Sequence, residues 1–174
     1  ADEVIRSDTT WSKDITLKTG SITVKKGATL TLDGSVTIDG SVTVNGGGGI
    51  RRGRNMYAKS PKFMVNNRGK LTLENITLDG GAEWTEDITP ARLAAMSIPE
   101  VEKANIGLTT QRPVISVNGT LNIEQGAAIQ NNCNLSEGTI SYAGAVVAGQ
   151  VRGDSGTIYM NGGVIRGNYA PKAG

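Results

Sequence analysis

Short alternations of aliphatic residues and threonine recur along the chain. They include Ile22-Thr23-Val24, Leu30-Thr31-Leu32, Val36-Thr37-Ile38 and Val42-Thr43-Val44. Because successive side chains of a strand point to opposite faces, each triplet predicts a strand with its aliphatic residues inside and its threonine outside. Lys-Gly, Asp-Gly and Asn-Gly dipeptides between the triplets favour turns, since glycine accepts positive φ. The pattern therefore predicts many short strands.

A longer period in the same pattern bears on how these strands pair. Asn-Gly between alternating strands is typical of hairpins, and would give an antiparallel meander or sandwich. Against this alternative, three segments recur in the same order at similar spacing. The first copy is Phe63-Met64-Val65, Leu71-Thr72-Leu73 and Ile76-Thr77-Leu78; the second is Ile115-Ser116-Val117, Leu121-Asn122-Ile123 and Ala127-Ala128-Ile129; the third, looser copy is Ala145-Val146-Val147, Ile158-Tyr159-Met160 and Val164-Ile165-Arg166. Such repeats predict an all-β fold, a right-handed single-stranded parallel β-helix (solenoid) with three short strands per rung.

Stacked rungs also predict which residues meet inside and at the turns. The residues predicted to stack in the core are Leu30, Leu32, Leu71, Leu73, Leu121, Ile123, Ile158 and Met160. Asparagines at matching turns, Asn66-Asn67, Asn131-Asn132 and Asn168, are predicted to form at least one side-chain amide ladder between rungs.

Two parts of the chain depart from the repeat. Residues 1–14, which include Trp11, are predicted to cap the first rung, and residues 15–174 to form the β-helix. Residues 82–113 are predicted to be a partly helical insertion. Within it, Thr89 as N-cap and Pro90 at the first helical position predict a helical turn or two.

Four stretches carry a resemblance to a known family. They are GGGGIRRG, GKLTLENITLDGG, VISVNGTLNIEQGAAIQNN and GTIYMNGGVIRGN. With these, the chain resembles the pectin-lyase-like β-helix repeat domains of large surface proteins from Gram-positive gut bacteria. The resemblance implies a secreted or cell-surface location and a scaffold or adhesin-like role. The superfamily spans lyases, hydrolases, adhesins and inert stalks, so the fold alone leaves the function open.

Composition narrows the chemistry. Only 4% of the 174 residues are aromatic, which predicts a core of valine, isoleucine and leucine. A net charge of +2 with interspersed signs does not favour a nucleic-acid partner. The sequence has no run of 18 or more apolar residues, so membrane insertion is not predicted. Cys133 is the single cysteine and there is no histidine, so we predict no intramolecular disulfide, no cofactor and no metal site.

Two groups of residues are predicted to bind a ligand such as a polysaccharide or a host-surface molecule. One group, in the insertion, combines acids with an aromatic platform and comprises Glu83, Trp84, Glu86 and Asp87. The other follows the glycine-rich turn and comprises Arg51, Arg52 and Arg54. The alternative for both groups is a solvated loop or turn. Asp33, Asp39 and Asp79 precede glycines after strands and are assigned to turns.

The absence of histidine also removes Ser-His-Asp triads and Cys-His dyads, and we predict no catalytic residue. The sequence thus favours a non-catalytic module. A polysaccharide lyase or glycoside hydrolase domain is the alternative, and a glycosidase needs two carboxyl groups about 5–10 Å apart. We also predict an open C-terminal rung, paired with a continuation of the same polypeptide or with a second copy.

Overall fold

The computed structural model describes residues 2–53, 62–81, 89–95, 109–110, 113–134, 144–149 and 155–170. Within these ranges the protein is nearly all-β. The strands are β1 (Asp2–Ile5), β2 (Thr9–Trp11), β3 (Ile15–Val24), β4 (Thr29–Leu32), β5 (Val36–Asn45), β6 (Gly49–Arg52), β7 (Phe63–Val65), β8 (Lys70–Leu73), β9 (Thr77–Asp79), β10 (Thr109–Thr110), β11 (Ile115–Val117), β12 (Thr120–Ile123), β13 (Ala128–Gln130), β14 (Cys133–Asn134), β15 (Val146–Ala148), β16 (Thr157–Met160) and β17 (Val164–Arg166). One short helix, α1 (Pro90–Ala95), precedes β10.

These strands pair in parallel, not as hairpins. Each pair of neighbouring named strands in the described part of the chain runs parallel, and no strand pairs with the next one along the chain. The antiparallel meander is therefore excluded. The Asn-Gly and Asp-Gly dipeptides that lie between strands turn the chain without reversing it against its own preceding strand, whereas Asp39-Gly40 lies inside β5.

The strands fall into three sets, apart from the small β10–β14 pair. The first set is β1, the second half of β3, the second half of β5, β8, β12 and β16. The second set is β2, β4, β6, β9, β13 and β17. The third set is the first half of β3, the first half of β5, β7, β11 and β15. Along the chain, a strand of the first set is followed by one of the second and then one of the third, and this order repeats.

Aliphatic side chains from all three sets form one continuous core. The predicted core residues Leu30, Leu32, Leu71, Leu73, Leu121 and Ile123 are buried. The prediction was wrong for Ile158 and Met160, which are exposed. Both lie on β16, which pairs with β12 on one side and has no strand on its other side among the described residues.

Register differs from the sequence prediction in the third repeat. Val146, not Ala145, pairs with Ile115, and Ile165, not Arg166, pairs with Ile129. A shift of one residue exchanges the inner and outer faces of a strand. The shift places Arg166 on the outer face.

Two long strands, β3 and β5, each contribute to the third set and then to the first. At Gly40, inside β5, an added Cβ would lie 1.8 Å from the carbonyl oxygen of Lys18. Glycine is therefore required there by the close approach of β3, whose register shifts between Leu17 and Thr19.

Two local predictions are confirmed. Helix α1 begins at Pro90, and the backbone N–H of Arg92 donates to Oγ1 of Thr89 over 3.2 Å, as expected for an N-cap. An asparagine ladder joins two turns, because Nδ2 of Asn132 donates to Oδ1 of Asn168 over 2.9 Å. The backbone N–H of Asn132 donates to the same oxygen.

Candidate ligand-binding groove

The outer face of the second strand set carries a row of polar side chains. Its strands alternate, so that Leu30, Ile50, Leu78 and Ile129 face the core while their neighbours face outward. Register aligns the outward residues in two columns. The first column is Thr29, Gly49, Thr77, Ala128 and Val164, and the second is Thr10, Thr31, Arg51, Asp79, Gln130 and Arg166.

Hydrogen bonds fix three side chains of the second column, Asp79, Gln130 and Arg166, in a row. Nε2 of Gln130 donates to Oδ2 of Asp79 over 3.0 Å, and Nε of Arg166 donates to Oε1 of Gln130 over 3.0 Å. The other carboxylate oxygen of Asp79 accepts the backbone N–H of Gly81 over 2.6 Å. Asp79 thus has the predicted turn role and, in addition, orients its neighbour on the next strand.

A groove of about 360 Å³ lies along these columns. Its described lining residues are Thr29, Gly49, Arg51, Thr77, Asp79, Gly81 and Asn131. Gly49 lies at the base of the groove and leaves it open, because a Cβ added there would have no atom nearer than 3.8 Å. Arg51 lies against Gly81, because a Cβ added at Gly81 would be 2.5 Å from Nη2 of Arg51. Small residues therefore create the space, and charged or hydroxyl-bearing side chains surround it.

Of the predicted basic residues, Arg51 lines the groove and Arg52 does not. Arg51 is exposed and lines the groove, whereas Arg52 is 6% exposed and points to the other side of β6. Arg54 lies outside the described residues. Lys62, which sequence reasoning did not single out, is also buried, and its pKa is lowered to about 8 by burial and by the neighbouring Arg52, against the opposing effect of Asp33 and Asp14.

The predicted residues of the insertion, Glu83, Trp84, Glu86 and Asp87, also lie outside the described residues. Gly81, the last described residue before the predicted insertion, lines the groove.

Sequence reasoning missed the remaining groove residues. Thr29 and Thr77 read as ordinary outward threonines, and Gly49 as one of four consecutive glycines. Gln130 and Arg166 continue the outer row beside the groove: Gln130 was not singled out, and Arg166 was hidden by the one-residue shift in the third repeat. A correct register of the second set would have placed Arg51, Asp79, Gln130 and Arg166 in one row.

The chemistry of the groove is that of hydrogen bonding. Threonine hydroxyls, an amide, a guanidinium and one carboxylate face the same space. Asp79 is the single acid among the described lining residues, and both of its oxygens already accept hydrogen bonds. In the part of the chain that the structure describes, no group of three or more histidine, cysteine, aspartate or glutamate side chains is arranged to hold a metal ion.

No protein-family model, curated protein or solved structure matches the chain. The resemblance to pectin-lyase-like repeats therefore remains a prediction from the sequence motifs. Among the described residues, no helix has the length and apolar character needed to cross a membrane.

Proposed function

We propose that the chain is a right-handed parallel β-helix acting as a non-catalytic scaffold module that binds a glycan in the groove of its second face. The helical path is supported by three strand sets that recur in order with parallel pairing, and by β3 and β5 continuing from one set into another. The right hand follows from the strong preference of parallel crossovers for that hand. Each rung then contributes one strand to each face.

The observation that carries the binding role is the register of the outward columns. Neighbouring strands of a sheet are about 4.8 Å apart, so polar groups repeat along the groove at that spacing. A sugar chain lying along the stack would therefore meet successive polar groups of the columns. Hydroxyls of Thr29 and Thr77, the amide of Asn131 and the guanidinium of Arg51 are suited to bind sugar hydroxyl groups.

A non-catalytic role agrees with the same geometry. Retaining and inverting glycosidases both use two carboxyl groups on either side of the scissile bond. The described lining of the groove offers Asp79, whose oxygens are held by Gly81 and Gln130. A secreted or cell-surface location, with a polysaccharide or a host-surface glycan as ligand, rests on the resemblance of the sequence motifs.

Arg51→Ala is expected to weaken polysaccharide binding about 10- to 100-fold, since a charge-assisted hydrogen bond contributes about 1.5–3 kcal/mol. A panel of neutral and acidic polysaccharides would be screened on an array, and the best ligand measured by titration calorimetry. Arg68→Ala is the matched control, because Arg68 is an exposed arginine outside the groove. Equal affinities for the two variants would contradict the assignment of the groove.

A steric variant tests the floor of the groove without removing a charge. Gly49→Val places its Cβ where no atom lies within 3.8 Å, so the fold is retained and the added methyl groups occupy the groove. We expect an unchanged circular dichroism spectrum and loss of binding. A folded Gly49→Val protein that binds the polysaccharide as well as the wild type would show that the ligand binds elsewhere.

A further inference from the structure

The last two described strands form an apolar surface at the C-terminal end of the stack. We call it the end surface, and it consists of Ile158, Tyr159, Met160, Val164 and Ile165, with exposures of 39%, 53%, 52%, 40% and 42%. Exposed apolar residues that are scattered singly need no explanation, but a contiguous patch of large ones indicates an interaction site.

Three residues of the end surface, Ile158, Met160 and Ile165, have the register of a buried layer, whereas Tyr159 and Val164 continue outward columns. Ile158 continues the inward column of Leu71 and Leu121, and Ile165 continues the inward column that contains Ile129. Within the described residues, β16 pairs with β12 alone and β17 with β13 alone. Their outer edges therefore present backbone donors and acceptors beside apolar side chains, which is the surface that strand addition uses.

The opposite end of the stack has a different character. One inward column begins at Glu3 on β1, runs through the aliphatic residues Ile22, Val44, Leu73 and Ile123, and ends at Met160. Glu3 is exposed, and Asp2 precedes it. Head-to-tail stacking of two copies in register would place the carboxylate of Glu3 over Met160 in the new core. Burial of such an unpaired charge is strongly unfavourable.

We propose that the end surface binds the end surface of a second copy, so that two chains form a twofold dimer through their C-terminal ends. A twofold axis brings the outer edge of β16 against the same edge of its partner in antiparallel orientation, which allows backbone pairing. Apolar residues then face apolar residues. Arg166 remains at the rim, because its side chain is on the outer face and bonded to Gln130.

The oligomeric state tests this dimer directly. Light scattering coupled to size exclusion should give about twice the 18.1 kDa mass of the chain. The double variant Ile158→Asp, Ile165→Asp should be folded and monomeric. Val4→Asp is the control, since Val4 is also an exposed apolar residue (47%) but lies on β1 at the opposite end, and this variant should remain dimeric.

Hydrogen exchange locates the contact. Amides of Thr157–Met160 should exchange more slowly in the wild type than in the double variant, while those of Asp2–Ile5 should be unaffected. A wild type that is monomeric at high concentration would overturn the proposal. Oligomers that grow beyond the dimer with concentration would overturn it as well, because they require the head-to-tail contact, and so would a dimer that survives the double substitution.

Discussion

A chain carrying Leu73→Asp is expected to be unfolded or nearly so under conditions in which the wild type is folded. Leu73 is fully buried in the middle of the column that runs from Ile22 to Met160. Loss of a buried leucine costs about 3–5 kcal/mol, and burial of an unpaired carboxyl group adds to that cost. The total is comparable to the whole free energy of unfolding of a typical domain, about 5–15 kcal/mol.

Urea unfolding followed by far-ultraviolet circular dichroism measures this loss. Val4→Asp is the control in the same strand set, and it should change the free energy of unfolding by less than about 0.5 kcal/mol because Val4 is exposed. If Leu73→Asp were within 1 kcal/mol of the wild type, Leu73 would not lie in a packed interior, and the stacked register would be wrong.

The positions of the strands could be predicted from the sequence because aliphatic residues and threonine alternate over short distances. Parallel pairing could be predicted from the order of the repeated segments. Helix α1 could also be predicted from the sequence, since Thr89 and Pro90 form a strong local start signal. In each case the decisive information lies within a few residues or in the repeat itself, where local preference and tertiary structure agree.

The register of the looser third repeat could not be predicted from the sequence in the same way. Val164-Ile165-Arg166 fits either of two alignments, since valine and isoleucine are both good inward residues. The hydrogen bonds to β13 select the alignment with Ile165 inside. The choice also determines the outer row of polar side chains, because it places Arg166 on the outer face beside Gln130.

The continuity of β5 was also not predictable from local pattern. Asp39-Gly40 was assigned to a turn between two strands, whereas β5 runs through it from Val36 to Asn45. Gly40 is needed there because Lys18 of the neighbouring strand approaches closely. A glycine at a close contact and a glycine in a turn look alike in a single sequence.

Tertiary burial of charge was the least predictable feature. Lys62 is 2% exposed, and among the described residues its Nζ atom has no hydrogen-bond partner. The residues at the same place before β5, β11 and β15 of the third set are Ser35, Val114 and Ala145, and all three are buried. Lysine thus occupies a buried position at which the strands on either side are preceded by serine and valine, and the residues next to it in the sequence do not predict its burial.

Replacement of Lys62 by methionine is therefore expected to stabilise the protein. Methionine keeps the length of the side chain and removes a buried ammonium group together with its repulsion by Arg52. The gain is partly offset by loss of attraction to Asp33 and Asp14. We expect a net increase of about 2 kcal/mol at pH 7, which corresponds to a rise in Tm of about 4–8 °C for a chain of this size.

The pH dependence distinguishes this cause from simple repacking. The pKa of Lys62 is lowered from 10.5 to about 8 in the folded protein, so the unfolded chain binds more protons between these values. Stability contributed by this group is therefore lowest below about pH 8 and increases as the pH rises towards 10.5. The advantage of Lys62→Met should shrink over that interval, by at most about 1.4 kcal/mol for each pH unit. Because tyrosines and other lysines titrate there too, the difference between the two proteins is the quantity to measure.

Thermal unfolding of both proteins from pH 6 to 10.5 provides that difference. Lys70→Met is the matched control, since Lys70 is an exposed lysine on β8 and its replacement should leave Tm almost unchanged at every pH. A Lys62→Met protein that is less stable than the wild type at pH 7 would mean that attraction to Asp33 and Asp14 outweighs desolvation. Lys62 would then be a stabilising buried cation, held by the acids at the turn before the third strand set.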